Sequence, residues 1–173
     1  MAEFKIIEST LLSIGDFLTR ELRKELIKQG HKLTGALVDS VDSEVKKAVD
    51  KIELRGTMFF YGRFMEEGVL PEQIKSPFAP ARIEGLTKWV QIKFAVDAKK
   101  AKGIAFAIAT IHKKVGMPSR NKKFAPEKTS FLTNTLDRNE DRINRTIEDG
   151  TLQQLDVLLT NVIRDTQKLF KLA

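Results

Sequence analysis

Cysteine is absent from the chain, which excludes a disulfide framework, a thiolate nucleophile and a cysteine-ligated metal. Its absence suits a reducing cytoplasm. Histidine is nearly as scarce. His31 and His112 are the only two, and isolated imidazoles without matched carboxylates make a poor metal site. Both are expected to serve as ordinary polar or capping groups. No apolar run approaches the roughly 20 residues needed to cross a bilayer. No secretion leader is read at the start, because Glu8, Asp16 and Arg20 interrupt the apolar positions after Lys5. No glycine-rich phosphate loop and no cluster of nucleophile, base and orienting group stands out. The chain is therefore read as non-enzymatic, with no catalytic, cofactor-binding or metal-ligating residue and no cofactor.

What is present describes a globular protein. The 173 residues are 42% hydrophobic and 31% charged, enough apolar material for a real core and too much for disorder. A single domain over residues 1–173 is expected. The positive charge is unevenly placed. Residues 76–130 hold twelve Lys and Arg against three Asp and Glu, whereas the segments on either side each carry one more acid than base. The middle third is thus the candidate for contact with something acidic.

Taken in order, residues 4–29 predict a long amphipathic helix. Phe4, Ile7, Leu11, Ile14, Leu18, Leu22 and Leu26 recur at helical spacing. Gly15 weakens it mildly. Residues 37–45 and 51–57 predict two half-buried strands, rich in valine and charge, whose exposed edges could pair between subunits. Residues 58–65 form an aromatic cluster expected in the core between the first helix and the sheet. Glu66 and Glu67 are expected to divide into one capping and one solvated carboxylate. Residues 69–80, with Pro71 and Pro77, read as an ordered loop.

Further along, residues 83–96 predict a helix whose inward face includes Leu86, Val90 and the sole tryptophan, Trp89, again expected in the core. Ile104–Ile111 predicts a closely packed helix of small residues ended by Gly116 and Pro118, with His112, Lys113 and Lys114 suited to the negative end of its dipole. Residues 116–129 are a basic loop bearing Arg120, Lys122, Lys123 and Lys128. A solvated or intersubunit face, an acidic protein partner and DNA all remain open for it. Two helices then follow, one from Phe131 to about Glu148 capped by Thr129 or Ser130, and a last one after Gly150 capped by Thr151. The fold class is therefore α+β, with helices packed around a small antiparallel sheet and additional C-terminal helices.

Two short segments carry a family resemblance. Thr34-Gly35-x-Leu37-x-x-Ser40-Val41 is followed by Tyr61-x-x-Phe64-Met65-x-Glu67-Gly68. This pair resembles the tail-completion, or head–tail joining, proteins of long-tailed bacteriophages. Ala36 departs from the asparagine frequent in that family, and Gly62 from its usual alanine. Pro80-x-x-Ile83, Trp89-Val90, Ala105-Phe106-Ala107-Ile108-Ala109, Gly116-Met117-Pro118 and Phe131-Leu132 extend the likeness over residues 1–145. Residues 146–173 stand as a C-terminal helical addition.

The resemblance implies a virion structural protein made in the host cytoplasm and placed at the neck. There it would form a homo-oligomeric ring that joins a portal or connector to the tail tube and continues the DNA channel. Thr34, Gly35, Leu37, Ser40, Tyr61, Phe64, Glu67, Gly68 and Trp89 would hold the fold. Lys99, Lys100, Lys102, Lys113, Lys114, Arg120, Lys122 and Lys123 would face DNA in the lumen or an acidic partner ring. No membrane role is implied. The alternative is a nucleic-acid-binding module that uses residues 76–130 as its platform.

Overall fold

Apolar residues three and four apart along the first thirty positions have one economical use, a helix with a single buried stripe. In the computed structural model, which describes residues 4–48, 50–117 and 128–171, that helix is α1, Lys5–Lys28. A short helix α2 (Ala36–Ser40) follows, then strands β1 (Asp42–Lys47) and β2 (Ile52–Thr57) and helix α3 (Gly62–Glu67). A single 3-10 turn at Pro71–Gln73 precedes α4 (Pro80–Phe94), α5 (Ala98–Val115) and the long α6 (Phe131–Lys171). The fold is α+β, mostly helical with one small antiparallel hairpin among the described residues.

The chain divides into two compact units, each discontinuous in sequence. One takes the described residues of Met1–Glu21, Asp42–Thr57 and Leu136–Ala173, and the other those of Leu22–Val41 and Met58–Thr135.

In the first unit the hairpin pairs Asp42 with Thr57 through Lys47 with Ile52. Glu44 faces Arg55 and Lys46 faces Glu53, so opposite charges sit across the strands. Val45 and Leu54, also paired, turn their half-buried side chains to the other face. That face lies on α1 at Gly15. A Cβ on Gly15 would come within 2.7 Å of Ser43 Oγ and 2.9 Å of Leu54 Cδ1. The glycine that looked like a flaw in the helix is the place where the hairpin seats. Thr19 Oγ donates to Ser43 Oγ at 3.2 Å, and Lys47 pairs with Glu8 at 2.5 Å.

Two expectations for this part of the chain are corrected. Residues 37–40 are helical, and the first strand begins only at Asp42. Gly35, at φ +83°, starts a turn of helix that places Leu37, Val38 and Val41 together in a core. Burial overrides the strand preference of the valine. The two expected C-terminal helices are one helix of 41 residues, with no break at Gly150 and no cap at Thr151. Gly150 is buried against α1, where an added Cβ would strike the side chain of Thr10. Near it, Gln154 is 3% exposed and its Oε1 accepts from the amide of Ile6 at 3.2 Å. Arg142 lies over the ring of Phe17 at 3.8 Å. Gly150 is thus a point of close approach between helices.

The second unit has two small cores. Leu26, Leu37, Val38, Val41 and Phe131 form one, with Leu22, Met58, Met65 and Leu132 packed on it. Ile83, Ala105 and Ala109 form the other, where α4 packs along α5. Ala101, Ala105 and Ala109 are fully buried, and their small size lets the two helices approach closely. Helix α5 starts earlier than its apolar run suggests, because the Asp97 carboxylate accepts the amide of Lys100 at 2.9 Å and caps it. Gly116, at φ +85°, ends it.

Alanine in place of glycine inside a helix ordinarily stabilises by about 1 kcal/mol. Gly150→Ala is expected to do the opposite, because the Cβ of Thr10 is fixed to its backbone and cannot swing clear. Urea denaturation of both chains measures the sign. Stabilisation by the variant would contradict the contact.

Candidate functional site

The two motif segments meet in the second unit. Gly35 and Leu37 are buried, and Leu37 belongs to the larger core. Thr34 Oγ accepts from the amide of Ala36 at 3.4 Å, a weak local bond at the entry to α2. Ser40 Oγ donates to Leu37 O at 2.8 Å and accepts from the amide of Phe59 at 3.1 Å. That second bond joins the first motif to the segment leading into α3. Gly62 is buried beside Met58 and Leu37, and a Cβ there would come within 3.2 Å of Leu37 Cδ1. Gly62 therefore makes room for the Met58 sulfur. Gly68, at φ +70°, closes α3 by donating its amide to Phe64 O.

The adjacent carboxylates at the end of α3 have separate tasks. Glu66 is half-buried, and its carboxylate accepts the amides of Leu132 at 2.7 Å and Thr133 at 3.1 Å. It also accepts the Thr133 hydroxyl at 2.6 Å, while its carbonyl accepts the amide of Ser130. Glu66 thus supplies the cap that was expected from Thr129 or Ser130. Ser130 itself takes φ +59°, a turn conformation rather than the extended one of a capping residue. Glu67 lies at the surface and pairs with Arg63 at 2.9 Å. One carboxylate caps and its neighbour is solvated, the division that adjacent acids at a helix end suggest.

The aromatic residues depart from expectation. Phe59, Phe60, Tyr61 and Phe64 are all exposed, Phe60 by 75%. They pair with one another rather than fill the core, Phe59 with Tyr61 at 5.8 Å and Phe60 with Phe64 at 5.6 Å between ring centres. The core positions of this stretch go to the two methionines, Met58 and Met65. Trp89 is corrected likewise. It is 37% exposed and packs edge-on against Phe94 at 5.9 Å, while Val90 takes the fully buried position beside it. Trp89 lies about 100° around the helix from Val90, so it falls at the edge of the face that Val90 buries.

The basic residues divide three ways. Lys99, Lys100, Lys102 and Lys114 are exposed and form no ion pair among the described residues. At 3.6 residues per turn, Lys99, Lys100 and Lys114 lie on the face of α5 away from Ala101, Ala105 and Ala109. Lys113 is already used within the fold. Its Nζ donates to Ile74 O at 3.0 Å and Pro71 O at 3.5 Å, holding the 3-10 turn. Arg120, Lys122 and Lys123 lie outside the described residues, as does Pro118.

Both histidines lie against neighbours within the fold. His31 Nε2 lies 3.1 Å from Lys128 O, and burial lowers its pKa. His112 Nδ1 lies 3.2 Å from the Arg82 guanidinium, which also reaches Met117 Sδ at 3.1 Å. Burial, and then the charge of Arg82, push His112 down to about 4. Among the described residues no group of three or more His, Asp or Glu could hold a metal, and no helix is long and apolar enough to cross a membrane. A half-open recess lined by Ser13, Ile14, Phe17, Arg142, Ile143 and Thr146 has a volume of about 30 Å³, room for a water. No family model, curated protein or solved structure matches the chain.

Two outcomes follow from these side chains. Glu66→Ala removes a charged cap and is expected to cost about 1–2 kcal/mol. Glu67→Ala should stay within about 0.5 kcal/mol. Chemical denaturation separates them, and equal costs would contradict the division. For His112, the native state keeps the imidazole neutral while the unfolded chain takes a proton near pH 6.5. Its contribution to stability is therefore whole above that pH and lost as pH falls from 6.5 towards 4. Melting temperatures at pH 7 and pH 5 should differ less in His112→Gln than in the unaltered chain. An unchanged difference would remove His112 as the cause.

Proposed function

We propose that this chain is a structural protein of a tailed-phage virion, acting at the joint between head and tail. In this reading copies of the chain close into a ring between a portal or connector and the tail tube, and the genome passes through its opening. The protein acts by its geometry and makes no bonds. The observation that carries the reading is the convergence of the two motif segments. The two signatures belong to one folding unit, as the resemblance would require. Here Ser40 bonds to the backbone at Phe59, Leu37 lies against Gly62, and Leu37 shares a core with Met65.

Three further features suit such a role. Glu66, which lies between the motif positions Met65 and Glu67, caps the longest helix described, so this segment has a structural task. The rings of Phe59, Phe60, Tyr61 and Phe64, together with Trp89 and Phe94, offer the exposed aromatic surface that anchors protein interfaces. Lys99, Lys100 and Lys114 give α5 a basic face, with Lys102 exposed to one side of it. In a ring it would meet DNA phosphates in the channel or an acidic surface above or below.

The alternative, a nucleic-acid-binding module, rests on that same basic face. It requires DNA affinity of the isolated chain with a steep salt dependence.

Electron microscopy of lysates from a phage whose copy of this gene is disrupted tests the proposal. Filled heads lying beside separate tails are expected. Normal joined and infectious particles would overturn it, and salt-dependent DNA binding by the purified chain would then favour the alternative.

A further inference from the structure

The second half of α6 carries a second apolar stripe. Residues that pack it within its own unit lie on one side: Ile143, Gly150, Gln154 and the half-buried Leu158. Leu152, Leu155, Leu159 and Val162 lie about a third of a turn away. Each is between 49% and 64% exposed. They are spaced three, four and three residues apart, and Thr166 continues the series after four more. That is the a/d repeat of a coiled-coil seam. Scattered exposed leucines need no explanation. A contiguous stripe of several hundred Å², as this is on the order of, marks an interaction surface.

We infer that this stripe is a seam for the same helix of a second copy of the chain, running parallel and in register. The residues flanking the seam decide both occupant and direction. Asp149 and Asp156 stand at e positions, Asp165 at a g position, and Thr151, Leu158 and Ile163 fill the other flanks. In a parallel pair each g residue meets the e residue five further along its partner. Thr151 then faces Asp156, and Leu158 faces Ile163, which widens the apolar seam. No pair of like charges forms. In an antiparallel pair centred on the stripe, Asp156 would face Asp156 of the other copy, and like charges across a seam repel. The three aspartates also disfavour the other occupants of an apolar helix face. A membrane surface attracts helices whose polar flanks are basic, and DNA repels acidic ones. The seam stands on these residues alone and does not depend on the head–tail role.

The chain has no cysteine of its own, so single replacements report pairing cleanly. Purified full-length Leu155→Cys, at a d position, is expected to form a disulfide-linked dimer under mild oxidation. Gln153→Cys, on an exposed face off the seam, should form no disulfide-linked dimer under the same treatment. Adding Leu159→Glu to the Leu155→Cys chain should abolish the cross-link, with circular dichroism showing the helix content kept. The inference is overturned if Leu155→Cys fails to cross-link. It is equally overturned if Gln153→Cys cross-links as fast, or if the cross-link survives Leu159→Glu. Rings assembled through other surfaces leave these outcomes unaffected, so failure here is distinct from failure of the neck reading.

Discussion

The Glu66 carboxylate is the interaction on which the second unit's architecture turns. A helix begins with amides that have no carbonyl to bond, and one buried without partners is costly. At α6 the chain arrives through Ser130 in a left-handed turn, so its own hydroxyl is not the cap. Glu66 instead reaches from α3 and takes two of those amides and a hydroxyl. The bond has consequences in both directions. It fixes the start of α6, where Phe131 is fully buried among Leu26, Leu37, Val38 and Val41. It also fixes the end of α3, so that Met65 lies on that core and Glu67 points to solvent. A negative charge at a helix N-terminus gains from the dipole as well.

Around that point the unit closes with small, local devices. Gln29 Nε2 donates to Thr129 O and to Glu25 Oε1, and His31 meets Lys128 O, so the exit from α1 and the entry to α6 are tied side by side. The Arg23 guanidinium donates twice to Val41 O, holding the end of α2. Burial here is thin, with the larger core built on five residues. Directional bonds from Glu66, Gln29, Arg23 and Ser40 therefore join elements around that core.

How much of this was legible in the sequence depended on range. The stripe from Ile7 to Leu26 announced α1, and the small residues of Ile104–Ile111 announced close packing at Ala105 and Ala109, because both signals lie within one helix; Ala101, outside that run, went unread. The different fates of Glu66 and Glu67 agree with the usual division of adjacent carboxylates at a helix end into one that caps and one that is solvated. What the sequence hid was the partner. Gly15 and Gly150 read as defects or stops in a helix, and only Ser43, Leu54 and Thr10, remote in the chain, reveal them as contacts. The exposure of Trp89 and of the aromatic rings was hidden for a related reason. Apolar residues signal burial, yet the core positions of those turns had already been filled by Val90, Met58 and Met65. Of the candidate lysines, Lys113 could not be told from Lys114 until the carbonyls of Pro71 and Ile74 appeared beside it.

The most direct test of the central claim is a cryo-electron microscopy reconstruction of the neck in intact particles of a phage that carries this gene. The account predicts a ring of this fold between portal and tail tube, with the packed pair of motif segments recognisable in every subunit. A complete neck, traced from portal to tail with no copy of the chain in it, would contradict the account.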